Sequence, residues 1–308
     1  MASNRICIIL LNWNGKTDTL ECLASLSKVD YRAFQTIVVD NGSTDDSVAT
    51  LRAAYPNVPI LETGANLGFA GGNNVGIEFA LSKPYDWILL LNNDTIVAPN
   101  FLTAFIEAAK EKPSGKIFGA KIYRYYEQER IDHVGGMWDS SKAHFVSLLS
   151  GDEMTSVDYV CGAALFAHRS VFETIGLLEP RFFLFWEESD WCLRAKRNGY
   201  EIWTAPQAHV WHKVSASFTG GKPQMCYFWW RNRLFWIERN CTSQERREIY
   251  RRVLLPEIRK LVRLFLLRSL QRLFLHRSQQ LLSYRASLAG IRDYYLRRFG
   301  NPYDKTRK

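Results

Sequence analysis

The first hundred residues alternate short apolar runs with segments of helical periodicity. Apolar runs that end in polar residues predict four strands, at residues 6–11, 34–39, 59–62 and 87–92. Apolar positions at helical spacing predict helices between them, at residues 17–27, 45–55 and 72–81. Strands separated by helices of about ten residues imply right-handed βαβ crossovers. The pattern therefore predicts an α/β fold with a mostly parallel central sheet.

The middle of the chain is less regular. An apolar run at residues 116–123 predicts a strand that leads into a polar excursion at residues 125–132. Small and apolar residues alternate over residues 158–168, and a helix is predicted at residues 169–175. We expect this part to wrap around one end of the sheet.

The C-terminal part is a basic, amphipathic helical extension. The chain has 308 residues and a net charge of +9, and residues 241–308 hold 17 Lys and Arg against 5 Asp and Glu. No run there reaches the ~18 uninterrupted apolar residues that a membrane-spanning helix needs. Two interpretations remain open: the helices pack on the rest of the protein, or they rest on an anionic lipid surface.

Cysteine spacing and the N-terminus indicate a cellular compartment. The six cysteines occur singly, several of them inside apolar stretches, which favours buried thiols over disulfides or a zinc site. The short apolar run near the N-terminus lacks the features of an export signal. We expect a cytoplasmic protein, with attachment to the cytoplasmic face of the inner membrane if the basic extension binds lipid.

Carboxylates follow two of the predicted strands. Asp40 comes directly after the second strand, and Asp94 ends the segment Asn92-Asn93-Asp94 after the fourth. Open α/β sheets bind ligands at the carboxyl ends of their strands, and oxygen ligands suit Mg²⁺ or Mn²⁺. Asp94 is therefore a candidate metal ligand. The alternatives are structural: an Asx turn or helix cap at Asp40, and a helix cap at Asp94.

A second group of polar residues lies about a hundred positions later. Glu187, Glu188 and Asp190 open a helix after an aromatic run, and His212 follows an apolar, aromatic strand. A carboxylate framed by Phe and Trp can have its pKa raised into the range of a general base. The alternatives are that the acids interact with the helix dipole and that the histidine is structural.

These segments occur together in a recognisable order. The chain contains Leu11-Asn12-Trp13-Asn14, Val39-Asp40-Asn41-Gly42-Ser43, Asn66-Leu67-Gly68-Phe69, Asn92-Asn93-Asp94, Trp186-Glu187-Glu188-Ser189-Asp190 and Trp211-His212. Over roughly residues 5–240 it resembles the family 2 glycosyltransferases, in particular their rhamnosyltransferase-like subgroup. The resemblance implies a GT-A fold, a nucleotide-diphosphate-sugar donor, a divalent metal ion (Mg²⁺ or Mn²⁺), and inversion at the anomeric carbon.

The resemblance also implies roles for individual residues. The catalytic pair would be Glu188, as the base, and Asp190, which holds the site together; the metal ligands would be Asp94 and His212. The acceptor-binding residues would be Gly162, Trp186 and Glu187. The donor-binding residues would be Asn12, Asn14, Asp40 (which would contact the base of the nucleotide), Asn66, Gly68, Asn74, Asn93 and Arg231. Two departures stand out: Asn precedes Asp94 at both positions, and Glu188 replaces an Asp.

The resemblance divides the chain into a catalytic domain, residues 1–240, and the basic tail, residues 241–308. Within the former, residues 1–115 would bind the nucleotide sugar and residues 116–240 the acceptor. We expect transfer of a sugar, by analogy L-rhamnose, from a dTDP or UDP donor to a bacterial-type glycan or a polyprenyl-diphosphate-linked glycan. No nucleic acid is expected as a partner. The alternatives are a sugar-nucleotide nucleotidyltransferase and a non-catalytic adaptor that binds membranes or nucleic acid.

Overall fold

A computed structural model describes residues 4–213, 221–271 and 279–302. Its first part alternates strands and helices in chain order. The elements are β1 (Ile6–Asn12), α1 (Lys16–Leu26), β2 (Phe34–Asp40), α2 (Ser47–Ala54), β3 (Ile60–Glu62), α3 (Gly68–Leu81), β4 (Trp87–Asn92), β5 (Thr95–Val97) and α4 (Phe101–Glu111).

The second part adds strands to the same sheet and ends in helices. The elements are β6 (Gly115–Arg124), β7 (Glu127–His133), β8 (Gly135–Asp139), β9 (His144–Leu148), β10 (Ala164–His168), α5 (Arg169–Ile175), a 3-10 turn (Pro180–Phe182), α6 (Glu187–Arg197), β11 (Glu201–His212), α7 (Gly221–Asn240) and α8 (Ser243–Ile249). A π-helical segment (Tyr250–Leu254) joins α8 to α9 (Leu255–Gln271), and α10 (Gln279–Tyr295) follows.

The central sheet has the strand order β3-β2-β1-β4-β10-β6-β11-β5, with β7 paired to β6. Strands β1 to β4 pair in parallel, whereas β10 runs antiparallel to both β4 and β6. Buried apolar residues cover both faces: one cluster includes Leu10, Leu89 and Phe166, and the other includes Ile9, Leu90 and Leu165. The expected parallel sheet is confirmed in the first part and becomes mixed in the second.

Most predicted elements of the first part begin and end within two residues of the observed ones, but α3 differs. The predicted helix starts at Gly72, whereas the observed one starts at Gly68 and contains the glycine-rich segment. A Cβ atom at Gly72 would lie 2.4 Å from Leu11 Cδ1, and one at Gly76 would lie 2.5 Å from Ile9 Cγ2. These two glycines let α3 pack closely on β1, so they serve helix–strand packing.

The parallel register places the polar strand ends together. Asn12 pairs with Asp40 at the ends of β1 and β2, and Asn92 pairs with Leu11 at the end of β4. The last residue of β11, His212, pairs with Thr95 of β5, the residue that follows Asp94. Residues from four separate strands therefore meet at one edge of the sheet.

The C-terminal helices share a core with α7. Trp236 of α7 belongs to one cluster with Leu254, Leu261 and Ile291. Helix α10 lies so close to α7 that a Cβ atom at Gly290 would be 2.3 Å from the Tyr227 carbonyl oxygen. Part of the basic extension is thus packed against residues 221–240, and a boundary at residue 240 runs through this core. In the described part of the chain, no helix is long and apolar enough to cross a membrane.

Candidate active site

Asp94 and His212 form the clearest candidate metal site. His212 Nε2 lies 3.1 Å from Asp94 Oδ1, and Asp94 is 2% exposed. Asp94 Oδ1 is buried and makes no hydrogen bond, while Asn92 Nδ2 lies 3.3 Å from His212 Nε2. A buried carboxylate oxygen without a donor, facing an imidazole nitrogen, has the chemistry of a divalent metal ligand pair. The two residues therefore fit a metal ion such as Mn²⁺.

The protein offers few ligands beyond this pair. Among residues 4–213, 221–271 and 279–302, no group of three or more His, Cys, Asp and Glu side chains is arranged to hold a metal. Mg²⁺ and Mn²⁺ commonly take further oxygen ligands from water and substrate phosphates. A metal at this site would consequently depend on a phosphate-bearing ligand to complete its coordination.

Asn92 and Asn93 have different roles from those that the sequence indicated. Asn93, expected to bind the donor, points toward α1: its Nδ2 donates to Thr19 Oγ1 (2.9 Å) and to the Gly15 carbonyl oxygen (3.4 Å). Asn92, which was not among the expected site residues, lies beside His212. Asn92 is the last residue of β4, whereas Asn93 lies in the turn that follows, so the two side chains point in different directions.

The ends of β1 and β2 form a closed network around Asp40. Asn12 Nδ2 donates to Asp40 Oδ2 (2.8 Å), and the Ser43 amide and hydroxyl donate to the same carboxylate at 2.9 and 2.7 Å. Asn14 has a positive φ of 50°, and its Oδ1 accepts a hydrogen bond from the Thr44 amide (2.8 Å). Asp40 thus makes the contacts of an Asx turn, which was the structural alternative to binding a nucleotide base. The same contacts fix the backbone at the edge of the sheet where the base was expected.

The other expected donor residues are largely occupied by the protein itself. Asn66 Oδ1 accepts from the Gly68 amide (2.8 Å) and stabilises the start of α3. Asn74 forms two hydrogen bonds with the backbone of Leu178, at 2.9 and 3.0 Å. Gly68 has a φ of +74°, and a Cβ atom there would lie 2.3 Å from the Phe183 carbonyl oxygen. Asn74 therefore joins α3 to the segment that follows α5, instead of facing an open pocket.

Glu188 combines the features of a general base. Burial raises its pKa to about 7, although backbone amides that include Gly162 act in the opposite direction. Its Oε2 atom is buried without a hydrogen-bond partner. Gly162 lies next to it, with Glu188 Cβ 3.8 Å from where a Cβ atom of Gly162 would be. A carboxylate with a pKa near neutrality and a free oxygen can accept a proton from a substrate hydroxyl.

Glu187 is a second buried acid beside Glu188. It is 3% exposed, and its Oε2 atom also has no hydrogen-bond partner. Burial, together with the charge of Glu188, raises the pKa of Glu187 well above its usual value. Burial and the neighbouring carboxylate thus both favour the neutral form of Glu187.

Asp190 is fully buried and holds two helices together. It accepts hydrogen bonds from Arg194 Nε (3.1 Å), Arg239 Nε (2.9 Å) and Asn240 Nδ2 (2.8 Å). These contacts tie the first turn of α6 to the end of α7. The carboxylate of Asp190 is thus occupied by contacts within the protein.

Trp186 and Arg231 lie in the protein interior. Trp186 is 5% exposed, and its ring centroid lies 5.1 Å from that of Trp229. Arg231 is fully buried, and its guanidinium donates to the carbonyl oxygens of Phe182 (2.7 Å) and Gly300 (2.6 Å). These contacts do not support the prediction that Arg231 meets a donor phosphate, because its charge faces backbone carbonyl groups instead.

The metal pair and the acid pair belong to one site. The backbone between β9 and β10 links them: the Asn92 amide donates to the Ala163 carbonyl oxygen (3.0 Å), and the neighbouring Gly162 lies against Glu188. A buried carboxylate–imidazole pair and a carboxylate with a pKa near 7 thus converge at the carboxyl edge of a partly parallel sheet. That combination is typical of enzymes that transfer groups from nucleotide-activated donors.

Comparison with known proteins identifies the family. Glycosyl transferase family 2 matches residues 7–176, more than half of the chain. The protein therefore belongs to glycosyltransferase family 2 and is a glycosyltransferase with the GT-A fold.

Similar proteins span most of the chain. The N-acetylglucosaminyl-diphospho-decaprenol L-rhamnosyltransferase of Mycobacterium tuberculosis is 30% identical over 226 residues, which cover 65% of this chain and 73% of that protein. The dTDP-rhamnosyl transferase RfbF of Shigella flexneri is 20% identical, covering 69% and 70%. A mannosyltransferase from Pyrobaculum calidifontis, solved with GDP-Man and Mn²⁺, has a TM-score of 0.61 at 14% identity, covering 99% of this chain and 89% of that chain.

Proposed function

We propose that the protein is an inverting, metal-dependent glycosyltransferase that moves a sugar from a nucleotide-diphosphate donor to a hydroxyl of a glycan or lipid-linked glycan. The observation that carries this proposal is the convergence of two unsatisfied carboxylates: Asp94 beside His212, and Glu188 at the start of α6. A buried carboxylate oxygen without a donor is costly, and such atoms concentrate where a ligand or metal completes the contacts.

In the proposed reaction, Glu188 removes the proton of the acceptor hydroxyl. The acceptor oxygen attacks the anomeric carbon, and the bond from that carbon to the diphosphate oxygen breaks. One direct displacement inverts the anomeric configuration. A divalent cation held by Asp94 and His212 would stabilise the negative charge on the departing nucleoside diphosphate. Imidazole ligation favours Mn²⁺ over a purely oxygen-preferring ion.

The similar proteins support a deoxysugar donor and a lipid-linked acceptor. The mycobacterial relative is named for transfer of L-rhamnose to N-acetylglucosaminyl-diphospho-decaprenol, and the Shigella relative for dTDP-rhamnose. We propose the same classes here: a dTDP- or UDP-linked sugar, L-rhamnose first, and a glycan on a polyprenyl diphosphate. In this proposal the buried Trp186 forms an apolar wall, and Glu187, whose pKa is raised by burial and by the charge of Glu188, contacts the acceptor beside Glu188.

The two alternative functions have less support. A nucleotidyltransferase needs basic residues for a triphosphate near the first strand. The first basic residue after β1 is Lys16, and it forms an ion pair with Asp46. A non-catalytic adaptor would leave the buried acids at Asp94, Glu187 and Glu188 without a purpose, and unsatisfied buried carboxylates destabilise a protein.

A panel of nucleotide sugars tests the donor. Thermal unfolding would be measured with dTDP-L-rhamnose, UDP-glucose, UDP-N-acetylglucosamine and GDP-mannose, each with and without Mn²⁺. We expect dTDP-L-rhamnose with Mn²⁺ to stabilise most, since a ligand at a hundred times its dissociation constant adds ~2.7 kcal/mol. Stabilisation by GDP-mannose alone would reject the proposed donor class. Stabilisation by nucleoside triphosphate, but by no nucleotide sugar, would favour the nucleotidyltransferase.

We also propose that the exposed face of α9 rests on an anionic membrane. This face carries Arg259, Lys260 and Arg263 together with Leu266 and Leu267, which are 55% and 47% exposed. At 100° per residue these five side chains fall on one side of the helix. Basic and apolar side chains on one face are typical of helices that lie in a lipid interface. Such a contact would bring a polyprenyl-linked acceptor to the enzyme.

Charge reversal tests this surface. Arg259→Glu with Arg263→Glu should strongly reduce sedimentation with phosphatidylglycerol vesicles, because each basic residue contributes about 1 kcal/mol near an anionic surface. Lys28→Glu with Arg32→Glu makes the same charge change at exposed positions elsewhere and should leave vesicle binding intact. Equal loss in both variants, or retention by neutral phosphatidylcholine vesicles, would contradict a specific anionic surface.

A further inference from the structure

The segment of residues 182–186 has an unusual backbone. Three bulky residues in it have positive φ angles: Phe183 (67°), Phe185 (68°) and Trp186 (78°). Side chains with a Cβ atom rarely adopt this conformation, because the Cβ atom approaches the following carbonyl oxygen. Such a backbone persists only where surrounding contacts determine it, and it is often found at functional sites.

Two adjacent residues of α7 hold this segment. Asn232 Nδ2 lies within hydrogen-bond distance of three of its carbonyl oxygens, those of Phe182 (2.8 Å), Leu184 (2.7 Å) and Phe185 (3.0 Å). Arg231 Nη2 donates to the Phe182 carbonyl oxygen as well (2.7 Å). These contacts satisfy carbonyl groups that the irregular backbone cannot pair with itself.

Arg231 also orients its neighbour. Its Nε donates to Asn232 Oδ1 (2.9 Å), which turns the amide nitrogen of Asn232 toward the segment. Both side chains are fully buried. Apolar residues would fill the same space at a lower desolvation cost, so the polar pair serves the backbone geometry more than the packing.

The segment of residues 182–186 connects the start of α6 with the start of α3. Trp186 is the residue directly before α6, whose first two residues are Glu187 and Glu188. On the other side, the Phe183 carbonyl oxygen accepts a hydrogen bond from the Phe69 amide (2.6 Å) at the start of α3. The conformation of this segment therefore sets the direction in which α6 begins, and the segment also contacts the start of α3.

We propose that Arg231 and Asn232 are positioning residues that fix the strained segment of residues 182–186 and, through it, the placement of Glu188. The proposal rests on the proposed role of Glu188 as the base. It gives Arg231 a function different from phosphate binding. Because Arg231 also donates to the Gly300 carbonyl oxygen (2.6 Å), it connects the end of the C-terminal extension to the same segment.

Two variants and a matched control test the proposal. Asn232→Ala removes the amide, and Arg231→Lys keeps the charge but cannot orient Asn232 and bind the carbonyl groups at once. Arg233→Lys is the control: Arg233 is also buried on α7, but it binds the Ala143 and Lys142 carbonyl oxygens (both 2.8 Å) and Glu257, away from the segment. The measurements are kcat, donor KM, the pH profile of kcat, and Tm.

We expect Asn232→Ala and Arg231→Lys to lower kcat on the order of 10- to 100-fold, with donor KM little changed, since small misplacements of a reacting group have effects of this size. A loosened segment admits water to Glu188, so its pKa falls from about 7 toward its usual value. The acidic limb of the kcat profile then moves to lower pH. Arg233→Lys should lower Tm while keeping kcat and the pH profile.

The outcomes separate this proposal from the proposed function. The positioning role is rejected if Asn232→Ala and Arg231→Lys lower Tm by as much as Arg233→Lys does and keep the wild-type kcat and pH profile. If Asn232→Ala fails to fold, the same comparison is made with Arg231→Lys. If Glu188→Gln retains full activity, the assignment of Glu188 as the base is wrong, whatever results Asn232→Ala and Arg231→Lys give.

Discussion

Replacing Glu188 with Gln is expected to lower kcat by about 100-fold or more, because Gln keeps the size of the side chain but cannot accept a proton. Donor KM should change little, since the donor is held elsewhere. The pKa of Glu188 is raised to about 7 by burial, so wild-type kcat should fall as the pH drops below 7. The Gln variant should lack this acidic limb.

Stability provides a second measurement on the same variant. A buried carboxyl with a raised pKa contributes most to the free energy of unfolding when it is protonated. This contribution is fully present below the usual pKa of about 4.5, and it is lost as the pH rises through about 7. Glu188→Gln removes that dependence, so its Tm should exceed the wild-type Tm at pH 8. Asp190→Asn is the contrasting variant. It breaks contacts with Arg194 and Arg239, so its Tm should fall.

One result would reassign the base. If Asp190→Asn loses the acidic limb of kcat while Glu188→Gln keeps it, proton transfer occurs at Asp190. The burial of Asp190 and its three hydrogen-bond donors argue for the opposite outcome.

Asp94→Asn is expected to reduce transfer on the order of 10³-fold, since a Lewis acid at a leaving group stabilises the transition state by several kcal/mol. The variant should also lose the Mn²⁺-dependent part of its stabilisation by nucleoside diphosphate.

The control for this experiment is Asp152→Asn. Asp152 is an exposed carboxylate, paired with Lys121, and its replacement makes the same charge change. It should keep both transfer and the response to Mn²⁺. If Asp94→Asn keeps the wild-type turnover and the wild-type response to Mn²⁺, Asp94 is not a metal ligand.

Local periodicity predicted the first part of the fold well. The helix predicted at residues 169–175 is observed as α5 (Arg169–Ile175), and the strand predicted at residues 87–92 is observed as β4. The polar excursion at residues 125–132 was less predictable. Most of it forms strand β7, whose residues are largely exposed. It lacks the apolar alternation of a half-buried strand, because it pairs only with the last three residues of β6 and leaves most of its side chains in solvent.

The roles of the amide side chains were less predictable than those of the carboxylates. Asn92, Asn93 and Asn232 are chemically alike, yet one lies beside His212, one binds α1 and one holds a strained backbone segment. An amide can donate and accept, so its type does not specify its partner. For the third role the sequence offered only the neighbouring Arg231, for which the resemblance implied donor binding.

From the amino-acid sequence we could infer the family, the order of the strands that end in polar residues, and Asp94, Glu188 and His212 as candidate site residues. These features are local or depend on ordered motifs, so they need no knowledge of contacts. Three features became visible only in the folded protein: the glycine-rich segment is helical, Arg231 is buried against backbone carbonyl groups, and α10 packs on α7. Each of these three features depends on a contact between residues that are distant in the sequence. The partner of a buried polar or apolar group is determined only when the chain is folded.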